Sequence, residues 1–301
     1  MRQYVSEKKL DKNGLLEISG KDFRYFRQVL RLKAGDMVLV RLPDGNLADM
    51  TLCRADDSSK KIILQLCAQQ VQNQKDESQS RYSATEKSEG KDDLSHSSPS
   101  DSSEKQAEFY LFMFVPKPSK FDLIVRQATE CGISKIFPVH SEFSQAGAEK
   151  MNFRSERFER IIKEARQQSG SAVNTTVEDC IDVQKLCEIW QNETQNSKEN
   201  DYEAFGCVLY ERSEFTMRLN DAIKNLAPEK KLKKCAVVCG SEGGISPAEI
   251  KMLLAAGFKA IHFETNILRC ETAALYGTAV LQNAFFEREN SLKNYESGRE
   301  K

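Results

Sequence analysis

The spacing of hydrophobic and polar positions changes at about residue 107, and the change predicts two differently built parts of the chain. Beyond this point, short apolar runs alternate with segments of helical period. The runs predicted as strands are FYLFMFV, KIFPV, FGCVLY, CAVVC and KAIHF. The predicted helices are SKFDLIVRQATECG, SERFERIIKEARQQSG, one near Asp182–Trp190, one near Phe215–Leu226, one from Pro247 and a long one from about Arg269. Alternating strands and helices are typical of an α/β fold with a largely parallel sheet covered on both faces.

The first part of the chain shows one amphipathic helix followed by short strands and tight turns. The segment KDFRYFRQVLRL places Phe23, Phe26 and Leu30 on one face of a helix. The strands MVLVRL, NLADMTLCRA and KIILQL follow, separated by the turns PDG and DDSSK. This order predicts a small β-domain, either a barrel or a curled sheet.

A basic stripe lies beside the apolar face of this first helix. Arg24, Arg27 and Arg31 have the same helical spacing as the apolar residues. The formal net charge of the chain is −1, which argues against a uniformly basic nucleic-acid binder, but residues 1–70 carry 13 Lys and Arg against 9 Asp and Glu. The stripe therefore predicts contact with RNA phosphates, and a solvated charged face remains the alternative.

A polar segment with almost nothing to bury separates the two parts. Residues 72–107 contain ten serines and one aromatic residue, a composition typical of a disordered linker or a loop insertion. We place the domain boundaries at 1–71, 72–107 and 108–290, with a polar C-terminal tail over 291–301. The shorter polar stretch QNETQNSKEND, at 191–201, is predicted to be an exposed loop.

The overall composition disfavours membrane and metal proteins. No apolar run long enough to span a membrane occurs, and MRQYVSEKK is not followed by the apolar stretch of a secretory signal, so we expect a cytoplasmic protein. The nine cysteines contain no CxxC pair, which indicates reduced thiols that serve as small apolar residues. Only three histidines occur, and His96 falls in the predicted insertion. We therefore predict no metal site.

The stretch CGSEGGISPAEI places three glycines and one carboxylate between a predicted strand and a predicted helix. Ser246, Pro247 and Glu249 supply an N-cap, a proline at the first helical position and a glutamate at the third, which together form a capping box. The glycine loop therefore follows a sheet strand at the edge where open α/β sheets bind ligands. It lacks the lysine of a phosphate loop, and Glu242 would repel a pyrophosphate. We predict a ligand that is neutral or cationic on this side, although a tight turn alone would explain one or two of the glycines.

A second unusual loop follows the next strand, in FETNILRCETAALYGTAVLQ. Arg269 and Glu271 stand here at the start of a helix whose remaining face is small and apolar. A core helix would look similar. Two such loops after two neighbouring strands nevertheless predict a single pocket.

These motifs resemble those of the RsmE family of SPOUT methyltransferases. GSEGGISPAEI is similar to the family's G-P-E-G-G loop, and NILRCETAAL is similar to its L-R-x-E-T-A loop. Upstream, KPSKFDLIVRQATECG resembles a K-x-x-K block and RFERIIKEARQQS an E-A-x-E-Q-S block. The segment DFRYFRQVLRLKAGD resembles the family's entry domain. The resemblance spans nearly the whole chain except the predicted insertion.

The resemblance implies a fold, a reaction and a set of site residues. The fold is a small N-terminal PUA-like β-barrel for RNA contact and a C-terminal SPOUT-type domain with a trefoil knot. The implied protein is a homodimer that binds S-adenosylmethionine in the knot and methylates N3 of a uridine in 16S, small-subunit, ribosomal RNA. The implied cofactor-binding residues are Cys239, Gly240, Glu242, Gly243, Gly244, Ile267, Leu268, Arg269, Thr272 and Ala273. Arg269 and Glu271 become candidates for stabilising the uridine anion or accepting its proton, and a structural pair that shapes the loop is the alternative.

Several positions depart from the family's pattern. The charged residues expected at four places are replaced by Gln127, Phe143, Gln167 and Ser171, and we expect most of these losses on the RNA-facing side. Two functions therefore stay open: a uridine-N3 methyltransferase, or a divergent member that binds RNA and S-adenosylmethionine with another target or little activity. A nucleotide-dependent enzyme is disfavoured by the missing lysine and by Glu242.

Overall fold

The computed structural model describes residues 3–67, 107–144, 151–212, 216–227 and 230–299, with side chains to residue 290. By their contacts, residues group into two compact units, Arg2–Lys105 and Gln106–Lys301. The predicted insertion, 72–107, lies outside the described residues apart from its last position. Each unit has its own buried core.

The N-terminal unit contains a five-stranded sheet. Its strands are β1 (Gln3–Val5), β2 (Leu15–Ser19), β3 (Met37–Arg41), β4 (Leu47–Asp56) and β5 (Lys61–Leu66). They lie in the order β1-β3-β4-β5-β2, with β1 parallel to β3 and the other pairs antiparallel. Strands β3, β4 and β5 confirm the sequence prediction, whereas β1 and β2 were not predicted. Alternate residues of the central strands, such as Val38 and Val40, are buried, as a half-buried sheet requires.

The first helix is shorter and less regular than the helix predicted from the segment KDFRYFRQVLRL. Helix α1 covers Lys21–Arg24 and continues as a π-helical turn over Tyr25–Val29. Phe23 and Phe26 are buried on the sheet, which confirms the predicted apolar face. Arg31 has a φ of 56°, a left-handed conformation that ends the helix.

The C-terminal unit is built on a parallel sheet. Its strands are β6 (Glu108–Phe114), β7 (Lys135–His140), β8 (Thr176–Val177), β9 (Ile181–Asp182), β10 (Glu203–Leu209), β11 (Leu232–Cys239) and β12 (Lys259–Ile261). They lie in the order β12-β10-β11-β6-β7-β8, with β9 also paired to β7, and all these pairs are parallel.

Helices cover both faces of this sheet. They are α2 (Pro118–Glu130), α3 (Glu156–Ser169), α4 (Val183–Glu199), α5 (Leu219–Lys224), α6 (Pro247–Ala255) and α7 (Cys270–Arg299). Phe109, Leu111 and Met113 of β6 point to the core shared with α2, α3, α5 and α7. The alternate residues of β6 point to the core shared with α4 and α6. The predicted α/β architecture with two covered faces is confirmed.

One polar segment differs from its prediction because it is helical. The stretch 191–201, expected to be a loop, continues α4 to Glu199, where Ser197 is buried and Gln195 donates to Glu199 at 2.8 Å. Residues of the predicted polar tail, 291–299, continue α7. No helix within the described part of the chain is long and apolar enough to cross a membrane.

The parallel arrangement brings several loops to one edge of the sheet. The segments that follow β6, β7, β10, β11 and β12 all leave at the carboxyl ends of their strands. Gly277 of α7 also allows a close approach to β10, since a Cβ there would lie 2.4 Å from Leu209 Cδ1. The loops after β11 and β12 are neighbours, since residues of both line one cavity, although their strands are separated in the sheet by β10.

Candidate functional site

The glycine loop after β11 is a tight turn that is closed by a hydrogen bond within its own backbone. The Gly244 N–H donates to the Ser241 carbonyl at 3.0 Å. A Cβ on Gly240 would lie 2.9 Å from the Gly244 carbonyl carbon, and Gly244 has a φ of 78°. Glycine is therefore required at both positions by the loop itself.

Gly243 is required for a different reason, which the sequence did not indicate. A Cβ on Gly243 would lie 2.6 Å from Phe143 Cβ, because the segment after β7 packs directly on the glycine loop. The family resemblance implied that this glycine binds the cofactor. The described contact is instead with Phe143, whose side chain remains 38% exposed.

Hydrogen bonds fasten the segment after β7 to the glycine loop. Ser241 Oγ donates to the Phe143 carbonyl at 3.2 Å. Glu249 Oε1 accepts the Glu142 N–H at 2.8 Å, and its Oε2 accepts the Ser246 N–H at 2.9 Å. Ser246 Oγ accepts the Glu249 N–H at 3.2 Å, which completes the predicted capping box. The buried Glu249 carboxylate therefore serves both the start of α6 and the segment 141–144.

A cavity of about 410 Å³ lies between the two loops. Its lining includes nine predicted cofactor residues, namely Cys239, Gly240, Glu242, Gly243, Gly244, Ile267, Leu268, Arg269 and Ala273. The predicted Thr272 is exposed outside this lining, and the partly buried Glu271 also lies outside it. A smaller cavity of about 130 Å³ extends along the loop after β12 and shares five lining residues with the first, namely Leu209, Glu211, Ile267, Leu268 and Ala273. The structure thus brings both predicted loops together around one space.

Lys120 of α2 links the two loops through their carboxylates. Its Nζ lies 3.4 Å from Glu242 Oε1 in the glycine loop and 3.1 Å from Glu271 Oε2 at the start of α7. Glu242 Oε1 also accepts the Lys117 N–H at 3.2 Å. The side chains of Lys120, Glu242 and Glu271 are between 16% and 25% exposed, so water screens the two ion pairs only in part.

The contacts of Glu271 determine its protonation. Burial alone would raise the pKa of Glu271, but hydrogen bonds from its own backbone N–H, from Lys120 and from Cys270, together with the charge of Lys120, hold this pKa below its ordinary value. Glu271 is therefore ionised at neutral pH and is a weak proton acceptor. This favours the structural role among the two that we considered for it.

Two buried thiols lie behind the loops and are chemically inert. Burial, together with a hydrogen bond to Glu271, raises the pKa of the Cys270 thiol to about 12. Burial also raises the pKa of Cys239 well above its ordinary value. Both residues are free thiols and remain protonated near neutral pH, so neither is a candidate nucleophile.

Arg269 is the exposed cation of the cavity. Arg269 is one of the residues that line the cavity, and it is exposed; among the described side chains it makes no ion pair. Its backbone carbonyl accepts the Ala273 N–H at 2.7 Å, which fixes the start of α7. An unpaired guanidinium carried by this residue is available to an anionic group in the cavity.

The three arginines predicted to contact RNA are not equivalent in the N-terminal unit. Arg27 Nε and Nη2 donate to the two carboxylate oxygens of Asp57, each at 3.1 Å, and its Nη1 donates to the Leu32 carbonyl at 3.0 Å. Arg24 and Arg31 are exposed. Arg27 therefore has a structural part within this unit, while Arg24 and Arg31 remain available to a partner.

Two residues of the site, Lys120 and Glu211, and Phe143 beside it were missed by sequence reasoning. Lys120 stands in the segment KPSK, so the resemblance of that block was a usable signal for it. Glu211, which lines both cavities, follows β10 with no motif around it. Phe143 was noted only as a departure from the family's pattern.

The comparisons with known proteins agree on one family. A profile described as RNA methyltransferase domain matches residues 103–282. The ribosomal RNA small subunit methyltransferase E of Aquifex aeolicus is 30% identical over 162 residues, which are 54% of this chain and 62% of that protein. The protein of the same name from Bacillus subtilis is 22% identical over 280 residues, 92% of this chain and 93% of that protein. These matches confirm the family resemblance, and the Aquifex alignment spans less than two thirds of that relative.

Solved structures with the same fold cover nearly the whole chain. A methyltransferase from Legionella pneumophila, in complex with the bound cofactor SAM, gives a TM-score of 0.64 at 19% identity over 94% of this chain and 97% of that chain. A ribosomal RNA small subunit methyltransferase E from Neisseria gonorrhoeae, bound to S-adenosyl methionine, gives 0.64 at 18% identity over the same shares. At these identities the likeness concerns the fold.

Proposed function

The chain belongs to the family of RNA methyltransferase domains, and from that membership we propose that it transfers a methyl group from S-adenosylmethionine to N3 of a uridine in 16S, small-subunit, ribosomal RNA. The observation that carries the proposal is the cavity of about 410 Å³ that the two loops resembling the family's motifs form together. The names of the relatives from Aquifex aeolicus and Bacillus subtilis support the choice of ribosomal RNA.

The residues of the cavity suit this cofactor. A volume of about 410 Å³ falls within the range of ligand pockets, roughly 300–1,000 Å³. Glu211 and Glu242 line it; because Glu242 is paired with Lys120, the Glu211 carboxylate is the one that complements a sulfonium cation. Ile267 is 87% exposed at the rim of both cavities, a large aliphatic surface that a bound adenine would cover.

The chain's own residues then have distinct tasks. When bound, S-adenosylmethionine supplies an electrophilic methyl group on a cationic sulfur. The glycine loop and Leu268 bind and orient it, and Lys120 keeps the two loops together. Arg269 stabilises the uracil anion that forms as the N3 proton leaves to solvent, because it is the exposed guanidinium in the lining. Glu271 holds Lys120 and accepts no proton.

The finer parts of the fold belong to the same proposal. We assign the N-terminal sheet to a PUA-like barrel that contacts RNA and the C-terminal unit to a SPOUT-type trefoil knot, in a homodimer. The adjacency of the loops after β11 and β12 supports the knot. A ribosomal RNA substrate supports action in the cytoplasm.

The alternative function, that of a divergent member with another target or little activity, is supported less strongly than the sequence suggested. It relied on charges expected on the RNA-facing side. Gln167 is buried, and Gln127 lines a small cavity between α2 and α7. Among the four replacements only Phe143 is exposed rather than partly or fully buried, so fewer RNA contacts are lost than the sequence implied.

Calorimetric titration with S-adenosylmethionine and, separately, with ATP tests the cofactor assignment. We expect binding of S-adenosylmethionine, weaker binding in an Arg269→Ala, Glu242→Gln double variant, and no binding of ATP. Methylation of purified small-subunit particles then tests the acceptor. Binding of ATP without binding of S-adenosylmethionine would overturn the proposal.

A further inference from the structure

Phe143 is an exposed aromatic side chain placed beside the cavity by several independent contacts. Its Cβ packs on Gly243, which lines the cavity. Its carbonyl accepts from Ser241 Oγ, and the neighbouring Glu142 N–H donates to the buried Glu249. These hydrogen bonds therefore hold the backbone of Phe143 against the wall of the cavity.

The ring itself lies outside the cavity. Phe143 is 38% exposed and is absent from the lining of both the larger and the smaller cavity. A ligand inside the cavity therefore does not bury this ring. An aromatic face next to a methyl-donor site, and not within it, is positioned for the nucleotide beside the one that enters.

Cationic groups stand at the same rim. Lys117 is held there by its N–H bond to Glu242, and its side chain is exposed. Arg269 is exposed on the opposite loop. Aromatic faces combined with cations that track the backbone are the means by which proteins bind single-stranded RNA.

We infer that Phe143 is a base-stacking site for a nucleotide that flanks the target uridine, with Lys117 as a cation for the adjoining phosphate. This inference rests on the proposed function. Stacking on an aromatic side chain is tolerant of base identity, so Phe143 orders the strand at the cavity and contributes little sequence preference.

The first experiment measures binding of a labelled, mixed-sequence single-stranded RNA by fluorescence anisotropy. Phe143→Ala weakens RNA binding about 5- to 150-fold, the fold-change that corresponds to loss of one stacked base, and leaves the affinity for S-adenosylmethionine unchanged. Phe143→Arg retains most of the affinity, because a guanidinium also stacks, and steepens the salt dependence by roughly 0.7 in the log–log slope. Met252→Ala, at a residue 40% exposed on α6, is the matched control and leaves RNA binding unchanged.

The second experiment observes the stacking directly. Trp190 is the chain's only tryptophan and is fully buried, so Phe143→Trp introduces an exposed reporter. The emission of this introduced indole is quenched by RNA and becomes protected from acrylamide, whereas Met252→Trp and the unsubstituted protein show neither response to RNA.

Four outcomes overturn the inference. RNA binding by Phe143→Ala equal to that of the unsubstituted protein excludes the stacking site, as does an emission of the Phe143→Trp variant that RNA leaves unchanged. Weaker self-association of Phe143→Ala in sedimentation, with RNA binding intact, assigns the ring to a second copy of the chain. If the unsubstituted protein binds S-adenosylmethionine but neither binds nor methylates RNA, the proposed function fails and the inference falls with it.

Discussion

Lys120 is the residue whose loss most directly separates the two loops. Lys120→Met leaves the carboxylates of Glu242 and Glu271 without their shared cation. We expect the free energy of unfolding to fall by about 1 kcal/mol, since the pairs are only partly screened, and the affinity for S-adenosylmethionine to fall roughly tenfold. Urea unfolding and calorimetry measure the two effects.

The control for this substitution is Lys185→Met, which removes an exposed ion pair to Glu188 at 2.9 Å and costs less than about 0.5 kcal/mol.

The pH dependence of stability adds a second test of the Lys120 ion pairs. The pKa of Glu271 is depressed in the folded state. The ionised carboxylate therefore contributes to the free energy of unfolding above the ordinary glutamate pKa of about 4.3, and this contribution is lost as the pH falls through the lowered value. If the free energies of unfolding of Lys120→Met and the unsubstituted protein still differed at the acid end of the range, the ion pair with Glu271 would not explain the difference.

Gly243 and Phe143 form a pair that a double-mutant cycle can resolve. Gly243→Ala places a methyl group 2.6 Å from Phe143 Cβ, and we expect a loss of about 1–3 kcal/mol from overpacking. Alanine at 143 would retain the clashing Cβ, so the relieving partner is Phe143→Gly. The coupling between Gly243→Ala and Phe143→Gly should be favourable by about 0.5–3 kcal/mol. Additive effects in urea unfolding would show that the two residues do not constrain each other.

The sequence was sufficient to predict the importance of some residues of the site but not of others. Gly240 and Gly244 stand in a motif whose backbone demands glycine locally, so their importance could be predicted. Lys120 meets Glu242 and Glu271 only after the chain has folded, and no local pattern indicates a contact between residues more than a hundred positions apart. Gly243 was recognised, but for a different reason, because its neighbour Phe143 comes from another strand's loop.

The capped start of α6 is the element that connects helix stability to the cavity. Ser246→Ala removes the acceptor for the Glu249 N–H and should cost about 1 kcal/mol. Because Glu249 also holds the segment 141–144, we expect weaker binding of S-adenosylmethionine as well. Asp182→Ala, at the N-cap of α4 where Asp182 accepts from the Lys185 N–H at 2.7 Å, is the matched control.

Both variants are compared by urea unfolding and by calorimetric titration with S-adenosylmethionine. Asp182→Ala should lower stability by a similar amount and leave the cofactor affinity unchanged. If both substitutions reduced that affinity equally, the cap of α6 would have no special link to the cavity.

The basic segment 24–31 of the N-terminal unit contains one structural arginine, Arg27, and two available ones, Arg24 and Arg31, of which Arg31 lies beyond the helical residues. Arg24→Ala with Arg31→Gly, the latter suited to the positive φ of that position, should weaken RNA binding and flatten its log–log salt slope by roughly 1.4, for two phosphates of a single strand. Arg27→Ala should mainly lower stability, by about 1 kcal/mol, because it breaks the contacts to Asp57 and Leu32. Equal effects of both variants on the salt slope would refute this division.

Elements were predicted well where a long period or a defined cap was present. The start of α6 and the end of α3 at Gly170 follow from a capping box and a left-handed glycine. Strands β8 and β9 have two residues each, too few for any period to be visible. The second half of α4 is polar but helical because one turn of it, at Ser197, is buried against its own unit.

For the whole molecule, the alternation of strands and helices was sufficient to predict the class of fold and the edge where the site lies. A parallel sheet brings the carboxyl ends of its strands together, so the loops that follow two different strands share one cavity. The order of the strands could not be predicted, because it depends on packing between distant segments. That order places β10 between β11 and β12 and brings Glu211 into the site.

The most direct test of the account is methyl transfer from labelled S-adenosylmethionine to purified small ribosomal subunits, followed by nucleoside analysis of the RNA. We expect label in 3-methyluridine, and none with Arg269→Ala at the same cofactor saturation. Label in a different nucleoside, or a protein saturated with the cofactor that transfers no label, would contradict the assignment of this cavity to uridine-N3 methylation.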